Sequence, residues 1–98
     1  MLKKSYSKTK KFCSVTFKVS PEANAKTAFV CGDFNNWDQA ANEMKVLKDG
    51  GCSVTISLEA GKAYRFKYLL DGERWINDEA ADKYVTNEYG SEDSVVEV

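Results

Sequence analysis

Hydrophobic and polar residues alternate along three stretches of the chain. Within residues 13–19, 52–58 and 64–70, every second position is apolar or aromatic, and most of the positions between are Ser, Thr, Lys or Arg. Successive side chains of a strand point to opposite faces, so this pattern predicts three β-strands that each turn one face toward a core. In the last stretch, Lys67 lies on the face opposite Tyr64, Phe66 and Tyr68.

Shorter runs rich in β-forming residues add further strands. These runs are residues 26–31, 73–76, 84–86 and 94–98. Turn signals separate them, such as Asp49-Gly50-Gly51 and Asp71-Gly72. Residues 36–47 are the one helix-friendly segment, and there we expect at most a single turn. Six to eight short strands with turns between them predict an all-β, immunoglobulin-like antiparallel β-sandwich.

Length and charge define the domain organisation. A chain of 98 residues is expected to form one domain. Five Lys and no acid occur in residues 1–12, whereas acids dominate from Asp71 onward. We interpret residues 1–11 as a basic, flexible arm and residues 12–98 as the sandwich domain. Any contact with nucleic acid or a membrane would depend on this arm alone, and we expect neither partner. No stretch approaches the ~20 apolar residues of a spanning helix, so the prediction is a cytoplasmic protein.

The residue types argue against catalysis and against a metal site. The chain has no His, and its three Cys are widely spaced, which fits neither a zinc site nor a disulfide framework. We expect Cys13, Cys31 and Cys52 to be buried free thiols. No nucleophile motif, phosphate loop, calcium loop or dinucleotide fingerprint is present, so we expect a non-enzyme without cofactors.

Two Trp residues in separate turns indicate ligand binding. Trp37 lies in the run GDFNNWD, and Trp75 follows the Asp71-Gly72 turn. Both are either core residues, since Trp is highly buried on average, or surface residues held for a ligand. An indole offers a flat, rigid surface for the C–H face of a sugar, and Lys67 could donate hydrogen bonds to the sugar hydroxyls. The pair and its polar surroundings favour an exposed carbohydrate platform.

The order and spacing of these motifs resemble those of family 48 carbohydrate-binding modules. That family includes the glycogen-binding domain of the AMP-activated protein kinase β subunit and the N-terminal early-set domain of isoamylases and glycogen branching enzymes. The resemblance covers residues 12–98. It is carried by VCGDFNNWD over residues 30–38, YRFKYLLDG over residues 64–72, and Met44, Gly51, Thr55, Leu58, Gly61, Trp75, Asp78, Val85, Thr86, Asn87, Gly90, Ser94, Val95 and Val96.

The resemblance implies a sandwich of the early-set type and a glucan site. Trp37, Lys67 and Trp75 match the residues that hold an α-1,4-glucan in the kinase domains. Where those domains carry Leu-Gly-Thr-x-Asn-Asn, residues 89–94 here read Tyr-Gly-Ser-Glu-Asp-Ser. Tyr89 can stack in place of Leu, and Ser91 keeps the hydroxyl of Thr. Asp93 replaces an amide, which donates and accepts hydrogen bonds, by a carboxylate, which only accepts them.

A second interpretation is a docking module. Many early-set domains lie against the catalytic barrel of an α-glucan-active enzyme of the glycoside hydrolase family 13 type without holding sugar strongly. This interpretation predicts an exposed apolar patch around Phe29, Leu69 and Tyr89. The oligomeric state and any enzyme partner stay open at this stage.

Overall fold

Two antiparallel sheets make up the fold. The computed structural model describes residues 2–98, which contain nine β-strands. In chain order these are β1 (Leu2–Tyr6), β2 (Phe12–Val19), β3 (Ala28–Gly32), β4 (Lys45–Val46), β5 (Cys52–Glu59), β6 (Ala63–Leu70), β7 (Arg74–Ile76), β8 (Lys83–Thr86) and β9 (Glu92–Glu97). The first sheet has the strand order β1-β2-β5-β4. The second sheet has the order β3-β6-β9-β8, and β7 also pairs with β6.

The core lies between the two sheets. Phe17 of β2 and Phe66 of β6 are fully buried, and their rings meet edge to face with centroids 5.0 Å apart. The inward residues of the alternating stretches supply most of the remaining core, as the period-two pattern predicts. Burial of this continuous apolar layer is the main stabilising contribution to such a sandwich. The predicted all-β antiparallel sandwich is therefore confirmed.

Each of the seven predicted strands is present, and two further strands were not predicted. Strand β4 has only two residues, so the sequence carries little pattern there. Residues 36–47 contain no helix; the neighbouring segment Asp33–Asn35 forms one 3-10 turn, and Pro21–Ala23 forms another. Within residues 2–98, no helix is long and apolar enough to cross a membrane.

Strand β1 differs from the flexible arm predicted for residues 1–11. Leu2 to Tyr6 pair in antiparallel register with β2, from Leu2 opposite Phe17 to Tyr6 opposite Cys13. Backbone N–H and C=O groups make this pairing, so the polar side chains of the segment give no sign of a strand. Leu2 packs against the core, and Lys4 Nζ lies 2.7 Å from Asp82 Oδ2. Met1 lies outside the described residues.

One buried carboxylate fixes the connection between β7 and β8. Tyr68 donates its hydroxyl hydrogen to Asp78 Oδ2 over 2.6 Å, and the Asp78 N–H donates to Ser94 Oγ over 2.9 Å. Burial, followed by the Asp78 charge, raises the pKa of Tyr68 well above its ordinary value. This network holds the loop after Trp75 against the second sheet.

The three thiols are buried, as expected. Cys13, Cys31 and Cys52 are free cysteines with almost no exposed surface. Burial, with a smaller effect of the Asp38 charge, raises the pKa of Cys31 to about 11. A thiol with such a pKa is almost entirely protonated near neutral pH, so it is a packing residue rather than a nucleophile.

Candidate functional site

A close approach between β3 and β6 sets the start of the turn that carries Trp37. A Cβ at Gly32 would clash with the carbonyl oxygen of Arg65 and lie 2.9 Å from the Cβ of Phe66. Any other residue at this position would therefore push the two strands apart. Gly32 allows the chain to leave β3 in contact with β6, directly before the turn begins.

The Asn35 side chain closes this turn. Its Oδ1 accepts a hydrogen bond from Gly32 N over 3.0 Å. Its Nδ2 donates to Val30 O over 3.0 Å and to Asn42 Oδ1 over 2.7 Å. Phe34 anchors the same turn from below, since its ring centroid lies 5.5 Å from that of Phe17. The turn is thus attached to both the core and the neighbouring loop.

Trp37 extends from this turn outside the hydrophobic core. Asn36 and Trp37 both have left-handed backbone conformations, with φ of 57° and 59°. Asn adopts this region readily, but for Trp it is uncommon and is maintained by the surrounding contacts. The Trp37 N–H donates to Gly32 O over 2.9 Å, and the indole Nε1–H donates to Asp33 Oδ1 over 3.0 Å. The half-buried ring is thereby held by both its backbone and its edge.

Lys67 and Trp75 lie on the outer face of the second sheet. Lys67 of β6 is opposite Cys31 of β3, and Trp75 of β7 is opposite Leu69 of β6. Directly opposed residues share a face, and so do residues 67 and 69 of one strand, which places the amine and the indole on the same side. Trp75 is 42% exposed. Neither Trp belongs to the core.

The loop between β8 and β9 is organised around Asn87. Its Nδ2 donates to Ser91 Oγ over 2.9 Å and to Asp93 Oδ1 over 3.0 Å. Its Oδ1 accepts from Tyr89 N over 2.9 Å and from Ser91 N over 3.2 Å. One amide therefore ties both sides of the loop together, and Tyr89 is left 85% exposed at its tip.

These elements surround one open cavity, which we call the aromatic cavity. Its volume is about 920 Å³. All six residues predicted from the sequence line it, namely Trp37, Lys67, Trp75, Tyr89, Ser91 and Asp93. Five further lining residues, Asp33, Gln39, Arg65, Asn87 and Glu88, were not predicted as site residues. The sequence pattern could have indicated Arg65, because strand alternation places it on the same face as Lys67.

A comparison with protein families adds an independent observation. Residues 15–98 match the family described as the glycogen recognition site of AMP-activated protein kinase. The chain belongs to this family. The resemblance inferred from the sequence is therefore confirmed over that range, and the domain is a carbohydrate-binding module. A search of curated proteins finds no match.

Within this glycogen-recognition domain, Asp93 has a different environment from the one expected of a ligand-binding residue. Its side chain is almost completely buried and accepts the hydrogen bond from Asn87. The Lys67 Nζ lies 4.0 Å from Asp93 Oδ1, with only 16% of the Lys67 side chain exposed. Asp93 thus lies at the wall of the cavity, where it contacts the Asn87 amide and the Lys67 amine.

The three residues at which a docking module predicts an apolar patch differ in exposure: Tyr89 is exposed, Phe29 is half-buried and Leu69 is buried. Leu69 is only 3% exposed. Its register partners on the outer face are Phe29 of β3 and Trp75 of β7, so an aromatic residue lies beside it on each neighbouring strand. Among the described residues, no group of three or more His, Cys, Asp or Glu is placed to hold a metal ion.

Proposed function

We propose that this domain binds α-1,4-glucan, of the glycogen or starch type, in the aromatic cavity without catalysis. One observation carries the proposal. A single open cavity is lined by two Trp, one Lys and a polar loop, which come from separate segments of a glycogen-recognition domain. This combination of flat aromatic surface and hydrogen-bonding groups fits the two kinds of surface that a glucose unit presents.

The two indoles supply the apolar contact. The C–H face of a pyranose ring stacks on an indole as nucleic-acid bases stack on aromatic side chains, which contributes on the order of 1 to 3 kcal/mol per ring. The donors for the sugar hydroxyls are Lys67 and the Asn87 loop. Since the cavity is open, we expect affinity for a short oligomer to be about micromolar to millimolar. Many chain ends on one glycogen particle raise the apparent affinity.

Two of the three carboxylates that line the cavity, Asp33 and Asp93, are engaged by other protein groups; the third is Glu88. Both oxygens of Asp33 accept hydrogen bonds from the protein, one from Trp37 and one from Arg65. Asp93 is buried against Asn87 and Lys67. Glycoside hydrolysis needs two carboxyl groups that face the scissile bond from opposite sides. The two Asp residues of this cavity instead hold the residues that we propose to contact the sugar.

Affinity electrophoresis tests this function. In native gels, the wild-type domain is expected to be retarded by glycogen and amylopectin but not by a β-glucan. Trp37→Ala and Trp75→Ala should each weaken the retardation about tenfold or more, because each removes one stacking surface. Melting temperatures of the variants report whether the fold is kept.

Phe12→Ala is the matched control. Phe12 is an aromatic residue of β2 in the first sheet, is 52% exposed, and does not line the aromatic cavity. Its loss should leave retardation unchanged. A wild-type domain that migrates equally with and without α-glucan would overturn the proposal and favour docking to an α-glucan-processing enzyme. Unfolding of either Trp variant would show that the indole is needed for stability.

A further inference from the structure

One carboxylate connects the Trp37 turn to the strand that carries Lys67. Asp33 Oδ1 accepts the hydrogen bond from the Trp37 indole over 3.0 Å. Asp33 Oδ2 accepts one from the backbone N–H of Arg65 over 3.0 Å. Arg65 is two residues before Lys67 in β6, on the same face. A single side chain therefore connects the Trp37 indole to strand β6, and both line the aromatic cavity.

The contact with the indole fixes the ring's orientation. The backbone of Trp37 is already set by its left-handed conformation and by its bond to Gly32. What remains free is rotation of the side chain, and the terminal torsion of an aromatic side chain has a broad energy profile. A charged acceptor at hydrogen-bond distance from Nε1 restricts that rotation. Bonds to charged groups are also stronger than neutral ones.

The same contact determines what Trp37 offers to a ligand. Because its N–H is directed at Asp33, the indole presents its ring for stacking and leaves hydrogen bonding to other groups. The turn itself does not depend on Asp33 for closure, since Asn35 and the backbone bond to Gly32 already close it. The carboxylate is therefore placed to orient the ring rather than to build the loop.

We propose that Asp33 is a positioning residue for glucan binding, which acts by orienting the Trp37 indole. This inference rests on the proposed function, because it concerns the same cavity. Asp33 of the GDFNNWD turn thereby affects ligand affinity through Trp37, four residues later in the chain.

A double-mutant cycle tests this role, with maltoheptaose as the ligand in isothermal titration. Asp33→Ala removes both acceptors, and Trp37→Phe removes the indole N–H while keeping an aromatic ring. In the wild type, Asp33→Ala should weaken affinity about tenfold. In the Trp37→Phe background, the same change should weaken it by less than about twofold, because the bond through which Asp33 acts is already missing. An equal loss in both backgrounds would overturn the proposal.

Asp38→Ala is the charge-matched control. Asp38 lies in the same loop and carries the same charge, but its Oδ1 accepts from Ala40 N and it does not line the aromatic cavity. Its removal should leave affinity within about twofold of the wild type. A loss as large as that of Asp33→Ala would show that charge, and not the indole contact, is responsible.

Nuclear magnetic resonance gives a readout that does not require sugar. The two Trp residues provide two indole N–H signals, so Trp75 serves as an internal reference. Asp33→Ala should shift the Trp37 signal and accelerate its exchange with solvent while the Trp75 signal stays in place. An unchanged Trp37 signal would overturn the Asp33 assignment even if glucan binds. A wild-type domain that binds no maltoheptaose would overturn the proposed function itself.

Discussion

Short polar side chains organise the site at the scale of single residues. Asn35 and Asn87 each bond several partners with one amide, and Asp33 bonds two with one carboxylate. Each such bond contributes only about 1 kcal/mol net, but loss of a buried partner costs more. The sequence indicated Trp37 and Trp75 because Trp is unusual in a polar turn, and it indicated Lys67 through its donor chemistry and the family resemblance. Asp33 and Asn87 gave no such signal, since Asp and Asn are common in turns for many reasons.

Asp71 gives a pH-dependent prediction at this scale. Backbone N–H groups of Thr27 and Lys26 donate to Asp71 Oδ1, and Arg74 donates to Oδ2. The Thr27 and Lys26 bonds, followed by the contact with Arg74, lower the pKa of this carboxyl below its ordinary value. A depressed folded-state pKa means that Asp71 stabilises the fold above its unfolded pKa and that this contribution is lost as pH falls through the folded value.

Asp71→Asn should therefore lower the melting temperature at pH 7, and the difference from the wild type should shrink as the pH falls below about 4. Asn keeps the left-handed backbone of this position and an acceptor for the Lys26 and Thr27 N–H groups, and it removes the charge together with the acceptor of the Arg74 hydrogen bond. Glu73→Gln removes a neighbouring exposed charge and should change the melting temperature little at either pH. A melting-temperature difference between Asp71→Asn and the wild type that is as large at pH 3 as at pH 7 would contradict the proposed link between Asp71 ionisation and stability.

At the scale of elements, β6 connects the core to the site. Its inward residues Phe66 and Tyr68 are buried, and its outward residues Arg65 and Lys67 line the aromatic cavity. Strong alternation made this strand predictable from the sequence. Strands β1 and β4 lie at the edges of the first sheet, where pairing by backbone bonds requires few apolar side chains. Such pairing leaves no periodic signal, and the basic segment therefore resembled a flexible arm.

Removal of β1 tests its contribution to the fold. Deletion of residues 1–6 uncovers the edge of β2 and removes the Leu2 core contact and the Lys4–Asp82 ion pair. We expect the melting temperature to fall by about 5 to 10 °C, since 1 kcal/mol corresponds to about 4–8 °C in a domain of this size. Retardation by glycogen should persist, because the cavity lies on the other sheet.

Lys4→Ala is the control for this deletion, because it removes the ion pair alone. One ion pair near the surface contributes about 1 kcal/mol or less, so the melting temperature should fall by much less than in the deletion. A deletion variant that melts with the wild type would show that β1 adds no stability. That result would restore the interpretation of residues 1–11 as an arm.

At the scale of the whole molecule, the sandwich places its core between the sheets and the aromatic cavity on the outer face of the second sheet. The strand pattern and the family resemblance predicted this architecture and the six candidate residues. They could not predict that Asp93 is buried or that Leu69 is covered. Both depend on which side chains become neighbours across β3, β6, β7 and β9, and no local pattern encodes that neighbourhood.

The most direct test of glucan binding by the aromatic cavity is a nuclear magnetic resonance titration of the ¹⁵N-labelled domain with maltoheptaose. We expect progressive shifts of the indole signals of Trp37 and Trp75 and of the backbone signals of Lys67 and residues 87–93. The strands of the first sheet should stay unshifted, and cello-oligosaccharide of equal length should have no effect. Shifts confined to the first sheet, or indole signals that do not move at saturating maltoheptaose, would contradict the account.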